Sequence, residues 1–200
     1  MSRDRDVAAF GRRAQGYEAG WLGRVHRDIA ERTIDVALRG PVPPPRRVLD
    51  VGCGPGYLLR RLASLLPEAV ALVGVDASPE VVDVARAAAD DERLRFSQAA
   101  AERLPFADGS FDLVVSTTSF DHWRDQQAGL GECARLLTVG GRLVVTDLFS
   151  LLLAPTLYTT HRGKARTKRR ADRLLAAAGL RTIEWRDLYA VIIKTVVATK

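Results

Sequence analysis

Short apolar runs alternate along the chain with segments that have the spacing of helices. Strand-like runs lie at 48–51, 70–75, 93–97, 110–116 and 142–148. Helices are predicted between them at 57–66, 79–89 and 126–137, and a turn is predicted at 139–141, before the last of these strands. A chain in which strands and helices alternate favours a mostly parallel sheet with helices on both faces. The pattern therefore predicts a doubly wound α/β fold.

The N-terminal part of the chain departs from this alternation, because its apolar positions have only helical spacing. Val25, Ile29, Ile34 and Leu38 fall near that spacing, and the proline-rich stretch 40–45 ends the segment. We expect residues 1–45 to form a helical lid and linker. Residues 46–200 then form the core of a single domain.

The chain after Leu148 has a different order of elements. It reads as a loop at 150–164, a basic helix at 165–178 and two strands at 180–187 and 190–198, joined by a tight turn near Leu188 and Tyr189. We expect these two strands to form an antiparallel hairpin on an otherwise parallel sheet. The complete prediction is a Rossmann-like sheet of seven strands, the five above and these two.

The composition is that of an ordinary soluble domain. The 200 residues are 47% hydrophobic and 27% charged, and no apolar run approaches the roughly 20 residues that span a membrane. The first residues are charged and no apolar stretch follows them, so we expect no signal peptide. Two cysteines, Cys53 and Cys133, and three scattered histidines offer neither a disulfide framework nor a metal cluster. These features predict a cytoplasmic protein without a metal site.

The strand at 48–51 leads into a loop with glycine at every second position. Gly52, Gly54 and Gly56 follow Asp50, and a leucine-rich helix begins directly after them. A strand, a glycine turn and a helix seat nucleotide-like ligands, because glycine lets the backbone approach the ligand and the helix start offers free N–H groups. A dinucleotide fingerprint requires glycine where Tyr57 stands, and the Gly-Lys-Ser/Thr triplet of a P-loop is missing.

A carboxylate ends the next predicted strand. Asp76 lies 20 residues after Gly56, which places it at the carboxyl end of that strand and beside the glycine turn. A carboxylate there can accept hydrogen bonds from both hydroxyls of a ribose. The alternative is that Asp76 caps the following helix, but Ser78 is better placed for that role.

Two further patterns resemble one protein family. The D-x-G-x-G-x-G motif at Asp50–Gly56 resembles the first motif of class I S-adenosylmethionine-dependent methyltransferases. The segment Ala100–Ser116 resembles the "D-A-E-x-L-P-F-x-D-x-S-F-D" segment of the small-molecule, ubiquinone-biosynthesis-like branch. With Asp76, the resemblance covers residues 47–149. It implies S-adenosylmethionine as cofactor, S-adenosylhomocysteine as product, and in-line methyl transfer to a small-molecule acceptor.

The resemblance also implies which residues hold the cofactor. They are Tyr17, Asp50, Gly52, Cys53, Gly54, Gly56, Asp76, Ala77, Ala101, Glu102, Ser116 and Thr117. Ala100 departs from the family, which commonly has an aspartate here that accepts a hydrogen bond from the adenine amine. Losing one such bond costs on the order of 1 kcal/mol. We therefore expect weaker cofactor binding but not its loss.

His122 is the best ionisable candidate for catalysis. It follows the strand at 110–116, so we expect it to face the transferred methyl group. An imidazole suits the removal of a proton from an acceptor hydroxyl, or the orientation of the acceptor. A structural histidine at the start of a loop is the competing interpretation, and Asp121 is a weaker candidate of the same kind. The Asn/Asp-Pro-Pro-Tyr motif of base-amine methyltransferases is missing from this position.

The acceptor pocket is expected between the first 30 residues, the loop 117–123 and the segment 150–161. Its content is apolar and aromatic, which suits a flat or lipophilic compound: Tyr17, Trp21, Phe120, Trp123, Leu151, Leu152, Leu153 and Tyr158. Tyr17 and Trp21 have an alternative role, which is to pack the N-terminal helix against the domain. Neither the identity of the acceptor nor the oligomeric state follows from the sequence.

Two alternative functions stay open, one because of the net charge of +6, carried mostly by arginine, and the other because of Ala100. The basic helix places Arg166, Arg169, Arg170 and Arg173 on one face, opposite Leu174 and Leu175. A methyltransferase acting on RNA would use such a face. No aromatic residues interleave with the arginines, so we do not expect nucleic acid to be a partner. The second alternative is a protein that binds the cofactor without catalysis.

Overall fold

The strands form one sheet with the predicted topology. The computed structural model describes residues 20–39, 43–150, 167–189 and 192–200. The strands are β1 Arg47–Val51, β2 Ala71–Asp76, β3 Leu94–Gln98, β4 Phe111–Thr117, β5 Leu137–Leu148, β6 Arg181–Tyr189 and β7 Ile193–Thr199. Their order in the sheet is β3-β2-β1-β4-β5-β7-β6, with β1 to β5 parallel and β7 antiparallel to both of its neighbours. The doubly wound fold with an antiparallel hairpin is confirmed.

Helices cover both faces of this sheet. They are α1 Gly20–Ala37, α2 Tyr57–Leu65, α3 Pro79–Ala87, α4 Gln126–Leu136 and α5 Lys168–Ala177. One apolar core joins α1, α2 and α3 to one face, and a second joins α4 and α5 to the other. Among the described residues, no helix has the length and hydropathy that a membrane span needs.

Helix α1 belongs to the core of the domain, which corrects the expectation of a lid for residues 20–37. Thr33 is fully buried, and its hydroxyl donates to the Thr146 hydroxyl on β5 (2.9 Å). Thr146 in turn pairs with the Thr195 hydroxyl on β7 (2.7 Å). The Arg142 guanidinium donates to the carbonyl of Ala37 (2.8 Å), which satisfies the end of the helix. Residues 1–19, where a lid would begin, lie outside the described residues.

Two predicted turns were wrong. Strand β6 continues through Leu188 and Tyr189, so the hairpin turn falls between Tyr189 and Ile193, which pair across it. The last residues of β6 are held by Arg32, which donates to the carbonyl of Leu188 (3.4 Å) and lies over the Tyr189 ring (4.7 Å). The expected turn at 139–141 lies inside β5, where Gly140 adopts a φ of 79° and the ladder with β4 shifts register.

The chain reverses direction across the sheet at β1. From β1 it proceeds to β2 and β3 on one side, and it then crosses to β4, which pairs with β1 on the other side. Doubly wound sheets bind ligands at such a switch point, beyond the carboxyl ends of the strands. The glycine loop follows β1, so it lies at this crevice.

Candidate functional site

The glycine loop after β1 has a backbone that only glycine adopts without strain. Gly52, Gly54 and Gly56 have φ values of 79°, 54° and 83°. A Cβ at Gly52 would lie 1.9 Å from the Ser119 hydroxyl, and one at Gly56 would lie 2.7 Å from the Phe96 ring. No heavy atom lies within 4 Å of a Cβ at Gly54. The loop is thus packed tightly at both ends and open in the middle, where a ligand can approach the backbone.

Asp76 ties the end of β2 to this loop. Its Oδ2 accepts a hydrogen bond from the Gly54 amide (3.1 Å), and its Oδ1 accepts one from the Ser78 amide (3.0 Å). The Ser78 hydroxyl caps α3 by accepting from the Val81 amide (3.4 Å), as the sequence indicated. Burial raises the pKa of Asp76, while the amides of Ser78 and Gly54 lower it. Each oxygen retains a lone pair that can accept from a ribose hydroxyl.

Asp50 is a buried carboxylate beneath the loop. Its side chain is 2% exposed, and its Oδ1 has no hydrogen-bond partner among the described residues. Burial, followed by the charge of Asp76, raises the pKa of Asp50 to about 8. A carboxylate in such a place favours a positive charge nearby. Burial also raises the pKa of the neighbouring Cys53 thiol, so this thiol stays protonated, and the role of Cys53 toward the cofactor stays a prediction.

The carboxyl end of β4 carries two hydroxyls that no described group satisfies. These are Ser116 Oγ and Thr117 Oγ1. The next residue, Thr118, has a φ of 52°, which is strained for a β-branched side chain. Its amide donates to the Thr146 carbonyl on β5 (2.7 Å), and this bond holds the strained conformation. Strain of this kind is concentrated at functional sites.

The turn Phe120–His122 places the predicted catalytic residue at the same edge of the sheet. His122 Nε2 lies 3.2 Å from Asp121 Oδ1. The two residues that the sequence offered as candidates for catalysis therefore form a pair. The backbone amide of Asp121 donates to Asp147 at the end of β5 (3.1 Å). Asp147 was not among the predicted residues, although it ends a buried strand just as Asp76 does.

The predicted adenine-binding segment follows β3 and is rigidly held. Ala101 is buried in the core, and the Glu102 carboxylate accepts from the Asp125 amide (2.9 Å). The Arg135 guanidinium donates to the carbonyls of Phe106 (2.8 Å) and Leu104 (3.0 Å). Glu102 is therefore engaged by the protein itself, and its role toward adenine stays a prediction. Ala77 is exposed directly after Asp76.

The expectation that Phe120 and Trp123 line the acceptor pocket was wrong. They are 2% and 5% exposed, and their rings pack edge to face at 5.1 Å within the core. Gly129 makes this possible, because a Cβ there would lie 2.4 Å from the Trp123 ring. Trp21 is 71% exposed, so it does not pack α1 against the domain. The other expected members, Tyr17, Leu151, Leu152, Leu153 and Tyr158, lie outside the described residues.

Comparison with known proteins identifies the part of the chain that builds this edge. Residues 49–145 match the model of a methyltransferase domain family. The chain carries a methyltransferase domain. The match covers the glycine loop, Asp76 and the turn with His122, and it ends within β5. The family's cofactor is S-adenosylmethionine.

Curated relatives of the methyltransferase domain act on different acceptors. The demethylmenaquinone methyltransferase of Deinococcus radiodurans is 43% identical over 105 residues, which are 52% of this chain and 43% of the relative. The malonyl-[acyl-carrier protein] O-methyltransferase of Hahella chejuensis is 32% identical over 153 residues, 76% of this chain and 53% of the relative. The chain thus spans about half the length of the curated relatives it matches.

Solved structures similar to the methyltransferase domain support the fold. A methyltransferase in complex with the Haloferax volcanii Trm112 methyltransferase activator is 24% identical with a TM-score of 0.79, covering 96% of both chains. The YcgJ protein of Bacillus subtilis is 21% identical with a TM-score of 0.69, covering 86% of this chain and 97% of its own. At these identities the likeness shows the fold alone.

The residues at the carboxyl edge fit S-adenosylmethionine. The methyltransferase domain has open space over Gly54 and, at Asp76, a carboxylate whose oxygens can accept further hydrogen bonds. It also has three buried polar atoms without hydrogen-bond partners among the described residues. Those atoms are Asp50 Oδ1, Ser116 Oγ and Thr117 Oγ1. Buried polar atoms without partners are costly, so a bound ligand that pairs with them stabilises the site.

Proposed function

We propose that this chain transfers a methyl group from S-adenosylmethionine to a small-molecule acceptor at the carboxyl edge of the sheet. The observation that carries the proposal is the bond from the Gly54 amide to Asp76, because it joins the glycine loop and the ribose-binding carboxylate in one cradle. The curated relatives act, by their names, on demethylmenaquinone and on malonyl groups of an acyl-carrier protein. Their acceptors differ, so the acceptor of this chain is proposed only by class.

Each part of the cradle has a proposed role. Asp76 accepts from the ribose hydroxyls, Gly52 and Gly54 allow the backbone to approach the ligand, and Ala77 and Ala101 frame the adenine. The buried Asp50 and the hydroxyls of Ser116 and Thr117 face the methionine end, where the ligand is cationic. When bound, the cofactor supplies a methyl group that its sulfonium charge makes electrophilic.

His122 is proposed to act on the acceptor. The Asp121 carboxylate lies 3.2 Å from Nε2 and orients the imidazole. The imidazole can therefore take the proton that an acceptor hydroxyl gives up as its oxygen attacks. The strained Thr118 and the contact between Ser119 and Gly52 hold this turn against the glycine loop. Positioning of this kind supplies much of the rate in group transfer.

Cofactor binding is the first test of this function. Titration calorimetry should show S-adenosylmethionine and S-adenosylhomocysteine binding with micromolar dissociation constants, and no binding of nicotinamide dinucleotides, because Tyr57 replaces the third glycine of a dinucleotide loop. Radiolabelled methyl transfer to a panel of phenols, quinols and carboxylic acids then identifies the acceptor class. Dinucleotide binding, with none of the sulfonium compound, contradicts the proposal.

A further inference from the structure

Asp147 connects the end of β5 to the turn that follows β4. Its side chain is 2% exposed, and its Oδ2 accepts from the Asp121 amide (3.1 Å) while its Oδ1 accepts from the Leu148 amide (2.6 Å). A carboxylate that accepts backbone N–H groups at the start of a helical turn fixes that turn by charge-assisted hydrogen bonds.

We propose that Asp147 is a positioning residue for the Asp121–His122 pair. The inference rests on the role proposed above for His122. The turn has other supports: Gln126 Nε2 donates to the Phe120 carbonyl (3.0 Å), and Trp123 Nε1 donates to the Ser119 hydroxyl (3.2 Å). The bonds to Asp147 differ from these because they involve a buried carboxylate and tie the turn to a strand of the sheet. Asp147 thus fixes where the imidazole lies relative to the glycine loop.

The charged groups around Asp147 agree with this role. The turn carries Asp121 and His122, and Lys194 is the register partner of Asp147 on β7. Lys194 pairs with Asp187 on β6, so the amides of Asp121 and Leu148 are what stabilises a charge on Asp147. Burial, followed by the charge of Asp121, raises the pKa of Asp147 to about 7.

The test compares Asp147 with a matched carboxylate at the opposite edge of the sheet. Asp112 Oδ2 accepts from the amides of Arg46 (3.0 Å) and Arg47 (2.9 Å), so it makes the same kind of bonds far from the cradle. Asp147→Ala should lower kcat at least tenfold and leave the cofactor Kd within twofold. Asp147→Asn keeps one acceptor oxygen and should restore kcat to within threefold of the unmodified protein. Asp112→Ala and Asp112→Asn should leave kcat within twofold.

A second measurement does not depend on turnover. Amide hydrogen exchange at Asp121 should be at least tenfold faster in Asp147→Ala than in the unmodified protein, and the diethylpyrocarbonate reaction of His122 should change at least threefold. Neither should change in Asp112→Ala. If Asp147→Ala does not fold, Asp147→Ser replaces it in both measurements.

Four results decide between these possibilities. Unchanged exchange at Asp121 overturns the inference, and so does faster exchange with an unchanged kcat. Loss of kcat that Asp147→Asn does not restore, accompanied by weaker cofactor binding, also overturns it, because it would mean a general structural role. If the unmodified protein methylates no acceptor, the proposed function fails, while the exchange and modification rates still decide whether Asp147 holds the turn.

Discussion

Asp76 accepts from two backbone amides and, by our proposal, from the ribose of the cofactor. Asp76→Ala should weaken cofactor binding by about 2 kcal/mol, because a charged hydrogen-bonding group is lost. Calorimetry measures this directly. Ser78→Ala is the matched control, since it removes the cap of α3 at a cost of about 1 kcal/mol in stability and leaves the carboxylate in place. Equal cofactor affinity in folded Asp76→Ala and in the unmodified protein would contradict the ribose assignment.

Asp50 is expected to make the protein less stable as the pH rises. Its pKa is about 8 when folded and about 4 in an unfolded chain, so the folded state binds more protons between these values and the free energy of unfolding falls across that window. Asp50→Asn removes this contribution. The variant should match the unmodified protein at pH 4 and exceed its stability by at least about 1 kcal/mol at pH 8. Urea denaturation at several pH values measures the free energy of unfolding of both proteins. The same pH dependence in Asp50→Asn and in the unmodified protein would contradict this expectation.

Some residues of the site follow from the sequence and others do not. The glycines, Asp50 and Asp76 are predictable because backbone freedom and a strand-end carboxylate are local properties. Trp123 is not, because an aromatic residue in a loop near the site suggests a pocket wall. Its burial depends on the space that Gly129 provides on another element. Asp147 has the same sequence signal as Asp76, but its contact with the turn after β4 depends on tertiary structure.

The exposed arginines of helix α5 allow a test of the alternative in which nucleic acid is the substrate. Arg169, Arg170 and Arg173 are exposed, and no carboxylate pairs with them in the part of the chain that is described. Changing all three to Gln should alter methyl transfer to the true acceptor by less than twofold, because the cradle lies at the ends of β1, β2 and β4. An activity loss of tenfold or more, with steep salt dependence of RNA binding, would favour a nucleic-acid substrate.

The order and type of the elements were predictable, whereas several of their ends were not. Apolar strands and leucine-rich helices are visible in the sequence because burial sets their periodicity. The end of β6 depends on contacts of Leu188 and Tyr189 with Arg32, which lies far away in the chain. The early start of β5 depends on its pairing with Phe111. Both depend on partners that no local pattern reveals.

At the scale of the whole molecule, charge is distributed unevenly. The chain has a net charge of +6, yet Asp50, Asp76, Asp121 and Asp147 gather at the carboxyl edge of the sheet. Burial raises the pKa values of Asp50, Asp76 and Asp147, and a cationic ligand bound beside them favours their charged forms, whereas a neutral product does not. The distribution agrees with a cofactor that loses its sulfonium charge on methyl transfer.

The place of β7 in the sheet has a consequence for synthesis of the chain. β7 pairs with β5 on one side and β6 on the other, although both are made before it. Until residues 193–199 have left the ribosome, β5 has an unpaired edge and β6 has no neighbour. Exposed strand edges are sites of aggregation, and pairing between distant segments is slow. The nascent chain is therefore most exposed to aggregation in the interval before β7 emerges.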